Sequence, residues 1–341
     1  MTGPVLKYQP ADFVVRESLL VPMTDRDSAE QRYLLLRKCG FTTMEAVRLI
    51  ADRFGLLSTE ISYGGLKDED GITEQLIAMP SHSLPPATEV GRWVISADGD
   101  RWMELQHYGW GCDPLQIGRL EGNGFRVVVR NLTSDSADRL SGERKLTTFF
   151  LNYYDTQRFG VPGGPKRTHL VGEAILDGRW AVALRELSGL RAPESASASA
   201  WSGDPKDYFA NLDPRTTSFY LAAHSSAQWN KLMVAQVDES CGTEQETVTV
   251  DGIDYRYVTS PKATTRVLAD SVMLPFTKYR FVEGVPVSSA SQRTTVVQTA
   301  VSVGQIAEDP AHNGRFCVEL RFFLPSGCYA TAAIRQLLFY R

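Results

Sequence analysis

A chain of 341 residues, 43% hydrophobic and 22% charged, has plain globular composition and room for two ordinary domains or one elaborate one. Its net charge of −4 lends no support to binding through bulk positive charge, although a local basic groove can sit on an acidic protein. Five cysteines, scattered and never spaced C-x-x-C, argue against a disulfide framework or a zinc site. The opening "MTGPVLKYQPADF" lacks the basic region and apolar run of a signal peptide, and no apolar run reaches membrane-spanning length. The expectation is a soluble, cytoplasmic protein with no membrane partner.

In chain order, "DFVVRESLLV" (12–21) and "RYLLLRK" (32–38) are rich in β-branched and aliphatic residues and read as strands. "TTMEAVRLIADRFG" follows as a helix. Thr42 and Glu45 form a capping box, Val47, Ile50, Ala51 and Phe54 keep helical spacing, and Gly55 is the stop. "EISYGG" and "ITEQLIAM" read as short strands, and residues 92–108 as a hairpin with Asp98-Gly99 supplying the turn. "FRVVVRNL" (125–132) is a further strand, and a helix is expected soon after it. The character changes near residue 160. "RFGVPGGPKRTHLVG" is loop-like, "GEAILDGRWAVALRELSGL" is helical, and "RAPESASASAWSGDP" (191–205) reads as a surface loop or linker. The C-terminal "VELRFFLPSGCYATAAIRQLLFY" reads as strand, turn and helix. The pattern is α+β, with an antiparallel or mixed sheet first and a more helical second part.

Five dispersed histidines show no metal spacing, and there is no P-loop, dinucleotide fingerprint or G-x-S-x-G elbow. Carboxylate chemistry on an aromatic-rich scaffold remains. The loop within "YGGLKDEDGITEQ" (63–75) carries Lys67, Asp68, Glu69 and Asp70. On composition it reads first as a solvated turn. Gly64 and Gly65, which permit close backbone approach, and Lys67, which can hold a neighbouring carboxylate ionised, admit a second reading. "LEGNGFRVVVR" (120–130) sets Asn123 and Phe125 at the mouth of a strand. "NYYDTQRFG" (152–160) groups tyrosines with Gln157 and Arg158, which suits base stacking or a buried corner equally.

Together and in this order, "LKYQPADFVVRE" (6–17), "GLKDEDGITEQ" (65–75), "LEGNGFRVVVR", "NYYDTQRFG", "TSFYLAAHSSAQWN" (217–230) and "RFFLPSGCYATAAIRQLL" (321–338) resemble the TruD family of tRNA pseudouridine synthases. The resemblance implies a catalytic domain with a mixed, mainly antiparallel sheet, over residues 1–158 and 312–341. It also implies an inserted TRUD-type α+β domain over 159–311. It implies isomerisation of uridine to pseudouridine in RNA, with tRNA the family substrate and its uridine at position 13 the family target. No cofactor and no metal are required. Carried over by motif, Asp68 is the catalytic aspartate and Lys7 the basic residue expected to pair with it. Asn123 and Phe125 contact and stack on the target base, and Tyr329 is an aromatic near the same pocket. Lys67, Thr73 and Gln75 occupy loop-shaping positions, with Lys67 and Gln75 also candidate substrate contacts. Arg158 is either an ion-pair residue or a phosphate contact.

The chain departs from the family pattern at Glu69 and Gly71, where a basic residue and an alanine are common, at Tyr154 and Asp155, and at Ser225, in place of arginine. An added acid beside Asp68 repels phosphate. The best basic clusters of the second part are "GGPKRTH" (163–169), "SPKATTR" (260–266) and "FTKYRF" (276–281). These departures leave open another RNA or a uridine nucleotide as substrate, supplying pseudouridine to a specialised pathway, and a non-catalytic RNA-binding relic.

Overall fold

The computed structural model describes residues 3–67, 69–83, 92–116, 118–142, 144–160 and 163–340; Asp68 therefore lies outside the described residues. The first part of the chain forms β1 (Phe13–Ser18), β2 (Gln31–Cys39), α1 (Thr43–Phe54), β3 (Ser62–Tyr63), β4 (Ile72–Pro80), β5 (Arg92–Asp98), β6 (Arg101–Gly111), β7 (Gly122–Leu132), α2 (Ser134–Leu140) and β8 (Lys145–Leu151). Then follow α3 (Thr168–Leu176), α4 (Trp180–Ser188), α5 (Ser195–Ala200), α6 (Pro205–Asn211), α7 (Pro214–Cys241), β9 (Gln245–Val250), β10 (Ile253–Val258), α8 (Pro261–Asp270), β11 (Met273–Val282) and β12 (Val285–Thr294). The chain ends with β13 (Val296–Val303), β14 (Ala307–Glu308), β15 (Phe316–Pro325) and α9 (Ala330–Phe339). It divides into two compact units, residues 1–147 with 299–327 and residues 148–298 with 328–341.

In the first unit the sheet runs β5-β6-β2-β4-β1-β7-β15, continued by β13 and β8, within which the division between units falls. β1 pairs with β4 in parallel and with β7 antiparallel, so the sheet is mixed and mainly antiparallel. Period-two alternation sorts its two faces. On one, Leu34, Leu36, Ile77, Met79, Met103 and Leu105 close a core against Val47, Ile50 and Ala51 of α1. Full burial of each large aliphatic contributes about 1.5–3 kcal/mol. On the other, charges form a row across five strands. Arg92 pairs with Glu104, Glu104 with Arg37 at 3.4 Å, Arg37 with Glu74 at 3.2 Å and Glu74 with Arg16 at 2.8 Å.

The α1 termini follow the sequence. Thr42 Oγ1 accepts the Glu45 N–H at 3.1 Å, and Gly55 takes the left-handed conformation at φ +68. Only half of the capping box forms, because the Glu45 carboxylate turns to Arg101 at 2.8 Å. In the β5–β6 hairpin Asp98 pairs with Arg101, so the turn residues are Gly99, at φ +56, and Asp100 rather than Asp98-Gly99.

The second unit has two cores along opposite parts of α7. One joins Trp229, Met233 and Val237 to Tyr153, Tyr255 and Tyr257; the other joins Tyr220 and Leu221 to α3, α4 and Phe281. The helical stretch 172–190 breaks into α3 and α4 at Gly178, φ +68. The stretch 191–205 is not a plain linker. It contains α5, whose Ser195 and Ala198 are buried, with Ser195 Oγ donating to Leu187 O at 2.8 Å. Alanine-rich sequence supplies the helix propensity, and small side chains allow close packing. Among the described residues no helix is long and apolar enough to cross a membrane.

The N-terminal segment of the first unit is fastened by buried charge. Val5 and Arg130 exchange two backbone hydrogen bonds of 2.9 Å. The Arg130 guanidinium then holds Asp12 at 2.7 and 2.8 Å and Asp309 at 3.1 Å. Burial would push Asp309 up, but N–H donors of Asn131 and Ala311, with His312 and Arg130, outweigh it and hold its carboxyl at about 2. A carboxyl depressed below its unfolded value of about 3.9 stabilises the fold above that pH, and the contribution is lost as pH falls through about 2. Asp309→Asn is therefore expected to be less stable than wild type at pH 7 in denaturant titrations. The gap should close between about pH 4 and pH 2, and a gap constant across that window would refute the assignment.

Candidate active site

Residues 64–71 join β3 to β4, and buried polar groups beneath them take up their backbone. Thr43 Oγ1 accepts the Lys67 N–H at 2.8 Å and donates to Gln75 Oε1 at 3.0 Å. Gln75 Nε2 in turn donates to Gly65 O at 3.1 Å. Lys38, fully buried, donates to Phe41 O at 2.7 Å and to Lys67 O at 3.2 Å. Glu69 O accepts the N–H groups of Gly40 at 3.2 Å and Gly71 at 2.9 Å. Both neighbours of position 68 are thus tied to the scaffold. Gly71 has a steric reason as well: a Cβ there would lie 2.4 Å from Phe13 O, so the alanine common in the family pattern does not fit this backbone.

Lys67 faces inward. Its ammonium lies 2.9 Å from Glu17, whose side chain is 1% exposed and whose second oxygen accepts the Leu76 N–H at 3.2 Å. The pair is buried, and Lys67 is committed to Glu17. Asn123 and Phe125 stand on the same sheet face. Lys38, Thr73, Val15, Phe125 and Phe322 pair as one row across β2, β4, β1, β7 and β15, and Glu17 pairs with Asn123 two residues along. The half-buried Phe125 ring stacks on Phe322 at 5.4 Å and meets Phe13 edge-on at 6.0 Å. Among the described residues, Asn123 Oδ1 and Thr73 Oγ1 are buried without hydrogen-bond partners, an arrangement that costs free energy.

Lys7 has left-handed backbone at φ +58, uncommon outside glycine. Its ammonium sits 4.7 Å over the Phe13 ring and 3.8 Å from Asp70. Asp70 is thus the carboxylate described beside Lys7. No group of three or more His, Cys, Asp or Glu among the described residues could hold a metal.

Tyr329 and Arg158 belong to the second unit. Tyr329 precedes α9 and meets Tyr154 edge-on at 6.0 Å. Tyr154 is stacked on Phe276 at 5.8 Å, with the Arg293 guanidinium 4.0 Å over its ring. Arg293 donates to Asn152 O at 2.9 Å and Asn152 Oδ1 at 2.7 Å. Arg158 lies over Phe219 at 5.1 Å and donates to Ser226 Oγ at 3.3 Å, which fastens it to α7. Asp155 accepts from Thr331 and, at 2.5 Å, from Arg335, anchoring α9. Ser225 is buried in α7, its hydroxyl turned back to Leu221 O. Glu17, Lys38, Thr43, Phe322 and Arg293 do not stand out in the sequence as site residues. Glu17 closes the "LKYQPADFVVRE" run and Phe322 lies in the last motif; the others carry no local signal.

A family model for tRNA pseudouridine synthase D (TruD) matches residues 1–201 of this chain. The chain is 28% identical over 287 residues to tRNA pseudouridine synthase D of Geobacter metallireducens, covering 72% of this chain and 66% of that protein. It is 33% identical over 191 residues to the Geobacter sulfurreducens protein of the same name, covering 55% of this chain and 43% of the relative. With tRNA pseudouridine synthase D of Colwellia psychrerythraea it shares 26% identity over 357 residues, 99% of this chain and 90% of the relative. The match thus spans two thirds or less of the Geobacter proteins and nine tenths of the Colwellia one. In fold it is similar to a crystal structure from Methanosarcina mazei assigned to tRNA pseudouridine synthase D (TruD), with TM-score 0.59, 17% identity, and 99% and 94% of the two chains covered. With its family model matched over more than half its length, the chain belongs to the TruD family of tRNA pseudouridine synthases.

Proposed function

We propose that this protein is a cytoplasmic pseudouridine synthase that isomerises uridine in RNA, with tRNA as the substrate. The C1′–N1 bond of the nucleoside breaks, the base turns, and a C1′–C5 bond forms. C5 loses a proton and N1 gains one, so product and substrate are isomers and no redox partner is consumed. In this reading residues 1–158 and 312–341 form the catalytic domain and 159–311 the insertion. Asp68 acts at the ribose and base as nucleophile or base. Lys7 supplies positive charge that favours an ionised carboxylate. Phe125 offers a ring face to a uracil turned out of the helical stack. The Asn123 amide pairs with the uracil edge, its oxygen able to accept the N3–H. Lys67 and Gln75 hold the loop, while Tyr329 and Arg158 are substrate-contacting candidates of the second unit.

The observation that carries this reading is the fastening of Lys67, through Lys38 and Glu17, to the sheet face that bears Asn123 and Phe125, with Glu69 held beside the ends of β2 and β4. A carboxylate between two fixed neighbours needs little reorganisation to react. A solvated turn would not require fully buried Lys38 and Gln75 beneath it.

Wild type incubated with tRNA, total RNA, uridine monophosphate and uridine is expected to yield pseudouridine, by mass spectrometry, from tRNA. Asp68→Asn should reduce the rate by about 10²–10⁴-fold or more. Product from the monophosphate but not from RNA would overturn the substrate, and no product from any of the four would overturn the activity. Thr43→Val keeps the shape of residue 43 while removing the bonds to Lys67 and Gln75. It is expected to lower kcat roughly tenfold with KM for tRNA held, since about 1.4 kcal/mol per tenfold is the scale of one or two lost hydrogen bonds. A KM effect alone would contradict a loop-holding role.

A further inference from the structure

Three basic clusters stand out in the second part of the sequence, and the structure treats them differently. In 163–169, Lys166 donates to Gly160 O at 3.1 Å and Arg167 pairs with Glu186 at 2.7 Å. In 260–266, Arg266 pairs with Glu244, which leaves exposed Lys262 as a single cation on α8. The cations of "FTKYRF" (276–281) are placed otherwise. This segment is β11, and alternation sends Tyr279 and Phe281 into the core beside α7, where the Phe281 N–H donates to Ser218 Oγ at 2.9 Å. Phe276, Lys278 and Arg280 take the opposite face. Lys278 and Arg280 are exposed, and neither side chain has an ion pair, hydrogen bond or ring contact among the described residues.

Their partners on β12 leave them uncovered. Ser291 pairs with Phe276, Ser289 with Lys278 and Val287 with Arg280. β12 contains no acidic residue; the acid within the ribbon is Glu283, in the turn beyond the tip. At the base of the same face Phe276 stacks on Tyr154, which meets Tyr329 edge-on. The face thus runs from an aromatic cluster to two free cations, with serines between.

We infer that the outward face of the β11–β12 ribbon binds the phosphate backbone of RNA, through Lys278 and Arg280. The inference rests on RNA being the substrate. Two residues apart on a strand, the two cations are set about 7 Å apart, so each can meet its own phosphate. Arg280 adds bidentate geometry, and the opposing serines are small and can donate to phosphate oxygens. On a chain of net charge −4, such a local track is what would bring a polyanion to the second unit.

The test is the salt dependence of tRNA binding by the full chain, for wild type and Lys278→Gln/Arg280→Gln. Each lost contact to a single-stranded phosphate removes about 0.7 from the slope of log Kobs against log salt, so the double variant should be shallower by about 1.4. Its KM for tRNA should rise while kcat holds. Arg48→Gln/Arg53→Gln, which removes equal charge from exposed positions on α1, should leave the slope unchanged. An unchanged slope in the ribbon variant overturns the inference, even if that variant loses affinity for an acidic peptide such as polyglutamate. An equal loss in the α1 variant overturns it too. Normal tRNA binding without pseudouridine formation would sink the catalytic reading and leave the surface standing, so the two failures are told apart.

Discussion

The candidate site depends on a loop held to its sheet by buried polar groups instead of apolar contacts. Burying Glu17 and Lys67 costs several kcal/mol per ion, and their attraction offsets this only with good geometry and satisfied remaining atoms. The pair is 2.9 Å apart, and the second Glu17 oxygen accepts the Leu76 N–H. Apolar packing alone would hold a glycine-rich loop loosely. Directional bonds to Gly65 O, to the N–H and O of Lys67, and to Glu69 O fix it at several points. The contact of Gly71 with Phe13 O sets where the chain re-enters β4. The departure at Gly71 is thus a matter of backbone approach, separate from the charge introduced by Glu69, which is exposed.

Lys7 is placed by a second set of charges. A left-handed non-glycine residue costs roughly 1–2 kcal/mol and persists where its surroundings over-determine it. Here the segment is clamped on both sides, by the Val5–Arg130 backbone bonds and by Asp12 on the Arg130 guanidinium. Asp309 completes the clamp from far along the chain. The geometry of Lys7 therefore forms only when residues near 5, 130 and 309 have come together, which couples this corner of the site to the long-range topology of the sheet.

What could be read from sequence follows the range of the physics involved. The α1 termini are local, and Thr42 and Gly55 behave as read. Glu45 does not, because Arg101 offered it a tertiary partner. Strands were visible as β-branched runs, but the row Arg92–Glu104–Arg37–Glu74–Arg16 exists only once register is set. In sequence Lys67 is the neighbour of Asp68, a local relation, whereas its ammonium answers to Glu17 of β1. The α5 segment was hidden by its small-residue composition, which looks like a linker until Ser195 and Ala198 find a surface to pack on. Motif resemblance singled out Asn123, Phe125 and Gln75; what supports them is non-local.

Net charge is a poor guide to what a surface can bind, because most cations here have already found partners. On the outer sheet face of the first unit, strands bearing arginine lie beside strands bearing glutamate, and the charges close on one another. In β11 the same alternation sends Tyr279 and Phe281 inward and Lys278 and Arg280 outward, but the neighbouring strand brings serine and valine. The two surfaces obey one folding rule and differ only in the partner strand. Neutralising a row stabilises its register and leaves little field for a ligand. Leaving a cation pair open gives up that small contribution, about 0–1 kcal/mol for an exposed pair, and keeps a positive potential available to a polyanion.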